Sequence, residues 1–174
     1  MRRRSGLRAH LTALGYALFY RLPHHYRVRL IRLVVPKYIV GVVVFVSDAE
    51  TPEPGRMLLL RQPPGTAWTL PAGLLQRREE PSRGALRELA EESGITLDAS
   101  DLRPAIPNAV VHARGWVDMV FEASVPASTT PLSVDGAEVL EAAWHPLDDL
   151  PRLTRPTARL LGRYGIGPMA GQRG

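Results

Sequence analysis

Cysteine is absent from this sequence of 174 residues. Its absence excludes disulfide frameworks, thiolate metal sites and thiol catalysis. Any metal must therefore bind oxygen or imidazole ligands, which points to a hard cation such as magnesium or manganese if carboxylates dominate the site. Internal repeats are also missing, and the length suits one domain with an appendage.

Acidic residues are missing from the first 38 positions, which contain eight arginines and one lysine and so carry a charge of +9. The other thirteen basic residues accompany all 17 acids, so the chain from Tyr38 onward has a net charge of −4 (13 − 17). The sequence therefore predicts a basic N-terminal extension over residues 1–37, a mildly acidic body over residues 38–164 and a flexible, glycine-rich tail over residues 165–174.

An apolar run long enough to span a bilayer is likewise missing. The extension resembles a secretory signal peptide at its start, because three arginines precede the apolar stretch Leu11–Tyr20. That stretch is too short to cross a membrane, and the sequence "RLPHH" follows it in place of a small-residue cleavage pattern. We therefore predict a cytoplasmic protein.

The basic extension is predicted to be helical. Its leucines recur at spacings of four, three and four residues, which is the period of one helical face, at Leu7, Leu11, Leu14 and Leu18. A second short helix is predicted at Tyr26–Val35, before a proline ends it.

Three interpretations of residues 1–37 stay open. The helices pack onto the body or against a second copy in a homodimer, or the basic side meets an anionic membrane, or it meets the phosphates of a nucleic acid. A charge run is weak evidence for a ligand, so packing is the default among the three.

The body intersperses predicted strands and helices, which argues for a single α/β or α+β domain. The Pro/Gly-rich stretch of residues 63–73 is predicted to be a loop. The other predicted elements are a hairpin of strands Tyr38–Asp48 and Arg56–Gln62, two strands between Asp101 and Val125 that break near Arg114–Gly115, a strand at Leu140–His145 and a helix at Arg155–Tyr164.

The segment "GLLQRREEPSRGALRELAEESGI" (Gly73–Ile95) contains a predicted helix at Pro81–Ser93, because proline suits the first helical turn and Gly94 suits the position after the last. Its three acids stand at positions i, i+3 and i+4, so one helical face carries Glu88, Glu91 and Glu92. Like charges at this spacing repel each other, whereas a divalent cation converts the repulsion into coordination.

Two further features accompany this acidic face. Arg87 is placed to reach back to Glu79 in the preceding loop, and Gly73 allows the backbone to come close to whatever the carboxylates hold. Acidic helix faces are nevertheless common, and the same glutamates could simply pair with neighbouring arginines. The spacing alone therefore leaves a metal site and a solvated helix equally open.

The complete pattern resembles the signature of the Nudix hydrolase family, G-x5-E-x7-R-E-U-x-E-E-x-G-U with U apolar. Gly73, Glu79 and the run Arg87–Ile95 match it at every fixed position. The preceding "WTLPAG" is similar to the family's usual entry but carries Ala72 where glycine is more common. The resemblance extends over about Tyr38–Tyr164 and leaves the basic extension unexplained.

The resemblance implies an α/β/α sandwich with a mixed sheet. It also implies a pyrophosphohydrolase that cleaves a nucleoside diphosphate linked to another moiety and depends on magnesium, for which manganese can substitute. The implied metal ligands are Glu88, Glu91, Glu92 and the carbonyl of Gly73. The implied catalytic set is Glu91 together with the orienting pair Arg87 and Glu79 and with Glu138, a further acid for which Glu141 is the competitor.

Several assignments stay open at this stage. The sequence does not choose the general base, and it does not choose the nucleotide. Arg61, at the end of a predicted strand, is a candidate phosphate contact, and Trp68, Trp116 and Trp144 are predicted to be core residues rather than base-stacking ones. The alternative function is a nucleotide-sensing module that uses the basic extension to bind nucleic acid or membrane.

Overall fold

The computed structural model describes residues 7–113 and 115–171. Residues 1–6 of the predicted basic extension, Arg114 at the predicted strand break and residues 172–174 of the predicted flexible tail lie outside the described residues. The chain divides into two compact units, a helical one that ends at Lys37 and a larger one that begins at Tyr38. Within the described residues, no helix is both long enough and apolar enough to cross a membrane.

The helical unit contains α1 (Leu7–Arg21) and α2 (His24–Val34). Helix α2 begins two residues before the predicted start, because Pro23 occupies the capping position and its fixed φ of −54° suits entry into a helix. Val35 is extended (ψ 136°), as expected of a residue that precedes a proline.

The larger unit is built on a mixed sheet, as predicted. The described residues contribute seven strands and two helices, namely β1 (Ile39–Asp48), β2 (Arg56–Arg61), β3 (Trp68–Thr69), β4 (Ala72–Leu74), α3 (Pro81–Ser93), β5 (Arg103–His112), β6 (Trp116–Val125), β7 (Glu141–Pro146) and α4 (Arg155–Arg163). The main order is β3-β2-β1-β6-β5, with β4 paired to β1 and β7 paired to β2. Strand β1 is parallel to β6, and every other named pair is antiparallel.

Strand β1 lies at the centre of the sandwich, and it is buried on both faces. Val42 and the alternate residues after it belong to one core cluster, whereas Val43 and Phe45 belong to the other. Helix α3 packs Leu89 into the first cluster, and helix α4 packs Leu161 into the second. Helices therefore cover both faces of the sheet, which confirms the predicted α/β/α sandwich.

The predicted loop of residues 63–73 is wrong in part, because it contains β3 and β4. Trp68 exchanges hydrogen bonds with residues far along the chain: its N–H donates to Arg152 O at 2.9 Å, and Thr154 N–H donates to Trp68 O at 2.8 Å. Gly73 pairs with Val42 of β1. These short strands depend on distant partners, which local composition does not reveal.

Part of the predicted tail packs against the body. Ile166 is partly buried against the second core cluster, and its N–H donates to Leu161 O at 3.0 Å. Gly162 also lies so close to Met169 that a Cβ at position 162 would stand 2.6 Å from the Met169 carbonyl oxygen. The flexibility of the remaining tail stays a prediction.

Candidate active site

Helix α3 has the predicted bounds and presents its acids toward one cavity. Pro81 occupies its first turn, and Gly94 ends it in the left-handed conformation with a φ of 76°. Leu89 and Ala85 are fully buried against the sheet and fix the rotation of the helix. The three glutamates project beside this buried face, where they line a cavity of about 220 Å³ with Asp135, Glu138 and Val139.

Glu92 is the deepest of these acids, with 6% of its surface exposed. The Gln62 side-chain amide donates to Glu92 Oε1 at 2.7 Å, and the backbone N–H of Ala72 donates to Oε2 at 2.8 Å. The pKa of Glu92 is raised to about 7, chiefly by burial and also by the charges of Glu88 and Glu138, against the lowering effect of the Ala72 N–H. A carboxylate in this position gains stability from a nearby cation.

Glu88 lies directly over Gly73. A Cβ at position 73 would stand 1.8 Å from Glu88 Cδ and 2.1 Å from each carboxylate oxygen, so any side chain there would displace Glu88. The predicted close approach at Gly73 is therefore an approach between the β4 backbone and an acidic side chain. The role of the Gly73 carbonyl as a ligand stays a prediction.

Arg87 reaches back to Glu79 with two parallel hydrogen bonds. Its Nε and Nη2 donate to the two carboxylate oxygens of Glu79 at 2.9 Å each, and Nη2 also donates to Leu74 O at 3.2 Å. The pair raises the pKa of Arg87 and, with the N–H of Gln76, lowers the pKa of Glu79 to about 2. Gly84 leaves room for this pair, because a Cβ there would stand 3.1 Å from Glu79 Oε2.

Asp135 is a residue of the cavity that sequence reasoning missed. Its carboxylate accepts backbone N–H groups from Ala137, Glu138 and Val139 at 3.0 to 3.1 Å, which lowers its pKa. These bonds fix the turn that carries Glu138. The Asp-Gly pair at positions 135 and 136 was the available signal, since aspartate in a turn commonly accepts the N–H groups that follow it.

The donor chemistry of the cavity fits a hard divalent cation. All of its charged groups are carboxylates, the ligands that magnesium and manganese prefer. In the arrangement described, Arg87 Nη1 contacts Glu88 Oε1 at 2.7 Å and Glu91 Oε2 at 3.1 Å. Within residues 7–113 and 115–171, no three acidic or histidine side chains converge tightly enough to hold a metal as they stand.

Arg61 and Glu141 are paired with each other rather than with this cavity. Arg61 Nη2 donates to Glu141 Oε2, and the Arg61 guanidinium lies 5.8 Å from the centre of the Trp68 ring. Glu141 therefore has a basic partner on β2. Glu138, its competitor as the additional acid, lines the cavity and raises the pKa of Glu92.

A second cavity of about 510 Å³ lies between the sheet and α4. Ala72 lines this cavity and donates its backbone N–H to Glu92, which lines the first. Asp118 lies in its wall, where Oδ1 accepts the Trp116 ring N–H at 2.6 Å and Oδ2 lies 2.8 Å from His112 Nε2. Ala72 of β4 therefore lies between the acids of α3 and this larger cavity.

The three tryptophans divide between core and cavity. Trp144 packs partly buried against the first core cluster and Trp68 against the second, in line with the prediction for both. Trp116 differs, because it is 38% exposed and lines the second cavity. Its position at the start of β6 brings it beside Asp118 on the same face of the strand.

Comparisons with known proteins agree with this geometry. A family model described as the NUDIX domain matches residues 37–163. A MutT-like protein of Streptomyces ambofaciens is 36% identical over 78 residues, which are 45% of this chain and 49% of that protein. An RNA pyrophosphohydrolase of Caulobacter vibrioides is 30% identical over 139 residues, which are 69% of this chain and 77% of that protein.

A solved structure has the same fold, and its sequence identity to this chain is similar to that of the relatives above. The MutT NUDIX hydrolase of Burkholderia pseudomallei superimposes with a TM-score of 0.55 at 30% identity, over 71% of this chain and 95% of that one. The chain spans about half the length of the Streptomyces relative. The family model covers most of the chain, and it includes α3 with its complete acidic motif. The chain therefore belongs to the Nudix family.

Proposed function

We propose that this chain is a metal-dependent pyrophosphohydrolase, which cleaves the phosphoric anhydride bond of a nucleoside diphosphate linked to another moiety. The observation that supports it most is the group of acids around buried Glu92, which is held by Gln62 and by the backbone of Ala72. Burying an acid among other acids costs stability unless a cation offsets the charge. The reaction adds water across the anhydride and releases two phosphate products.

The metal would be held by Glu88, Glu91 and Glu92, with the Gly73 carbonyl as a further ligand. Magnesium, or manganese in its place, would offset the charge of the diphosphate and favour ionisation of the attacking water. Glu88 and Glu91 would have to leave Arg87 Nη1 in order to coordinate. The two bonds between Arg87 and Glu79 use other atoms of the guanidinium and can persist, so this pair would keep the loop in place.

Glu138 is the better-placed acceptor for the proton of the attacking water. Glu91 shares Arg87 with Glu88. In the described part of the chain, no basic side chain forms an ion pair with Glu138, which lines the acid cavity and donates its backbone N–H to Asp135. A positioned base contributes about 10² to 10⁴ in rate, so Glu138→Gln should lower kcat by that factor.

The second cavity is the proposed site for the nucleoside. It is large and mostly lined by the sheet and α4, and Ala72 in its wall also bonds Glu92 of the acid cavity, so one molecule can place its base in this second cavity and its phosphates near the acids. Exposed Trp116 offers a ring for stacking. Asp118 is an acceptor, which favours a base that presents N–H groups.

The alternative of a nucleotide-sensing module is less well supported. A sensor needs the cavity for the base but not the complete set of acids on α3. The Caulobacter relative is named an RNA pyrophosphohydrolase, which agrees with anhydride cleavage as the activity and makes a triphosphorylated RNA end one substrate to test. A cytoplasmic location stays a prediction.

The test is hydrolysis of a panel of nucleoside diphosphate derivatives, nucleoside triphosphates and triphosphorylated RNA, with the products identified by chromatography. We expect turnover of at least one substrate with magnesium and none with a chelator. Glu92→Gln should lower kcat/KM by at least about a hundredfold, whereas Glu80→Gln, the same change on an exposed acid beside α3, should leave it unchanged. Tight nucleotide binding without turnover of any panel member would overturn the enzyme proposal in favour of a sensor.

A further inference from the structure

The helical unit has exposed apolar residues that the proposed chemistry does not use. Among described residues 9–37, none is buried. The larger unit, in contrast, keeps most of its apolar residues inside. Twelve of the 19 exposed large hydrophobic residues in the described chain lie in the helical unit: Leu11, Leu14, Tyr16, Leu18, Tyr20, Leu22, Tyr26, Leu30, Ile31, Leu33, Val34 and Val35. Isolated helices of 15 and 11 residues are marginal in water, so these helices need a surface to pack on.

We propose that this unit binds the surface of an anionic lipid membrane. The supporting observation is that exposed apolar residues and uncompensated positive charge coincide in one unit. Residues 1–38 carry eight arginines, one lysine and no acid. A partner that contacts both the apolar residues and the arginines must offer an apolar layer next to a negatively charged one. The boundary between acyl chains and anionic headgroups offers both.

Helix α2 shows the arrangement in detail. At about 100° per residue, Tyr26, Leu30 and Leu33 fall within one narrow sector of the helix, and all three are exposed. Arg29 lies next to this sector on one side and Arg27 on the other. Long arginine side chains can extend from the edges of an apolar face to headgroup phosphates while the face itself enters the acyl region.

The lengths of the helices favour binding in the plane of the surface. At about 1.5 Å per residue, the 15 residues of α1 extend about 22 Å, which is shorter than the hydrocarbon core of about 30 Å. Tyr16, Tyr20 and Tyr26 are exposed along the two helices. Tyrosine is enriched at membrane interfaces, where its ring meets lipid and its hydroxyl meets water.

Nucleic acid and a second copy of the chain explain less of the surface. Phosphates of a nucleic acid would neutralise the arginines but would leave Leu30, Leu33 and Val34 in water. A symmetric contact between two copies would cover leucines but would bring two acid-free units of like charge together. Both partners are outcomes that the following experiment distinguishes.

The experiment measures co-sedimentation of the full chain with phosphatidylcholine vesicles, with and without phosphatidylserine. We expect binding only with phosphatidylserine and release at high salt. Arg29→Gln/Arg32→Gln should weaken binding by about tenfold or more, and so should Leu30→Ser/Leu33→Ser. Matched controls in the larger unit are Arg103→Gln/Arg152→Gln and Ile106→Ser, which change exposed residues and should leave binding unchanged.

Three results would overturn the proposal. One is the absence of binding to phosphatidylserine vesicles. Another is vesicle binding that the arginine variant abolishes and the leucine variant leaves intact, with equal affinity for a single-stranded RNA, since that would indicate a general polyanion site. The third is a concentration-dependent dimer in light scattering that the leucine variant abolishes while vesicle binding persists. Circular dichroism and unchanged nucleotide hydrolysis verify that each variant is folded.

Discussion

The two units of this chain handle charge in opposite ways. The larger unit carries a net charge of −4 and places acids where hydrogen bonds hold them, whereas residues 1–38 carry +9 without one acid. Glu92 and Asp48 are 6% and 5% exposed, and each accepts bonds from named backbone and side-chain donors. In the larger unit, the effect of a charged side chain depends on its position and its hydrogen-bond partners. In the helical unit, the proposed effect depends on the summed positive charge.

This difference predicts how substitutions should behave. A small change to one side chain in the larger unit should strongly affect hydrolysis or stability, because it displaces a specific interaction partner. The same change in the helical unit should have a small effect on folding and hydrolysis and should act only through an external surface. Matched pairs of substitutions test the contrast, with one member in each unit except for the pair of acids, which the helical unit lacks.

The largest difference between the two units is expected when alanine replaces a glycine in each. Gly73→Ala places a Cβ 1.8 Å from Glu88 Cδ, so Glu88 must move and hydrolysis should fall by at least about a hundredfold. Gly15→Ala has nothing within 4 Å of the new Cβ and should leave hydrolysis unchanged while favouring helix α1. Steady-state kinetics on both variants measures the effect, and equal activity in the two would show that the position of Glu88 does not matter.

The next difference concerns stability. Leu89 is fully buried between α3 and the sheet, so Leu89→Ala should lower the free energy of unfolding by about 2–5 kcal/mol. Leu33 is 83% exposed, and Leu33→Ala should change it by less than about 0.5 kcal/mol. Urea denaturation followed by circular dichroism gives both values. A large loss in the Leu33 variant would mean that the helical unit contributes to the core.

A smaller difference between the two units is expected when lysine replaces an arginine in each. Arg87→Lys keeps the charge but cannot make the two parallel bonds to Glu79, so kcat/KM should fall by about tenfold through the loss of a charged hydrogen bond. Arg29→Lys keeps the charge of an exposed residue and should change neither hydrolysis nor vesicle binding. Unaltered kinetics in the Arg87 variant would contradict the proposal that Arg87 orients the loop through Glu79.

The smallest difference concerns a buried carboxylate, and it should disappear in acid. Asp48 accepts hydrogen bonds from Thr51, the backbone of Ala127 and Arg56, and these bonds hold its pKa well below the ordinary 3.8. Because the folded pKa is the lower one, the carboxylate stabilises the fold fully above about pH 5, and this contribution decreases as the pH falls below about 4. Asp48→Asn should therefore lower the thermal midpoint at neutral pH.

The pH dependence of that difference is the informative measurement. The gap in midpoint between wild type and Asp48→Asn should narrow as the pH falls below about 4, because the protonated wild type loses the same interactions. Asp98→Asn, on an exposed turn, should show little difference at any pH. A gap that is independent of pH would mean that Asp48 acts through its shape rather than its charge.

Sequence reasoning predicted the parts of the site that lie close together in the chain. The bounds of α3, the shared face of its glutamates and the reach of Arg87 to Glu79 all depend on residues within one segment of 23 positions. Helix caps and the spacing of i, i+3 and i+4 determine these features. The sandwich was predicted through the family resemblance, and the strand predicted at Tyr38–Asp48 is confirmed as β1.

The parts that were missed depend on distant pairings. Strands β3 and β4 are two and three residues long, and their partners lie in β1, in β2 and near position 153. The cavity of Trp116, His112 and Asp118 depends on the pairing of β5 with β6 and on β1, which pairs with β6 on one side and with β4 on the other. Local sequence patterns carry no information on contacts between distant strands, so neither the cavity nor the exposure of Trp116 was predicted.

Cation binding by the carboxylates around Glu92 underlies the proposed hydrolysis. Electron paramagnetic resonance can follow a titration of the full chain with manganese, without nucleotide, for wild type, Glu92→Gln and Glu80→Gln. We expect Glu92→Gln to weaken manganese binding by at least about tenfold and Glu80→Gln to match wild type. Equal affinity in all three proteins would contradict this proposal.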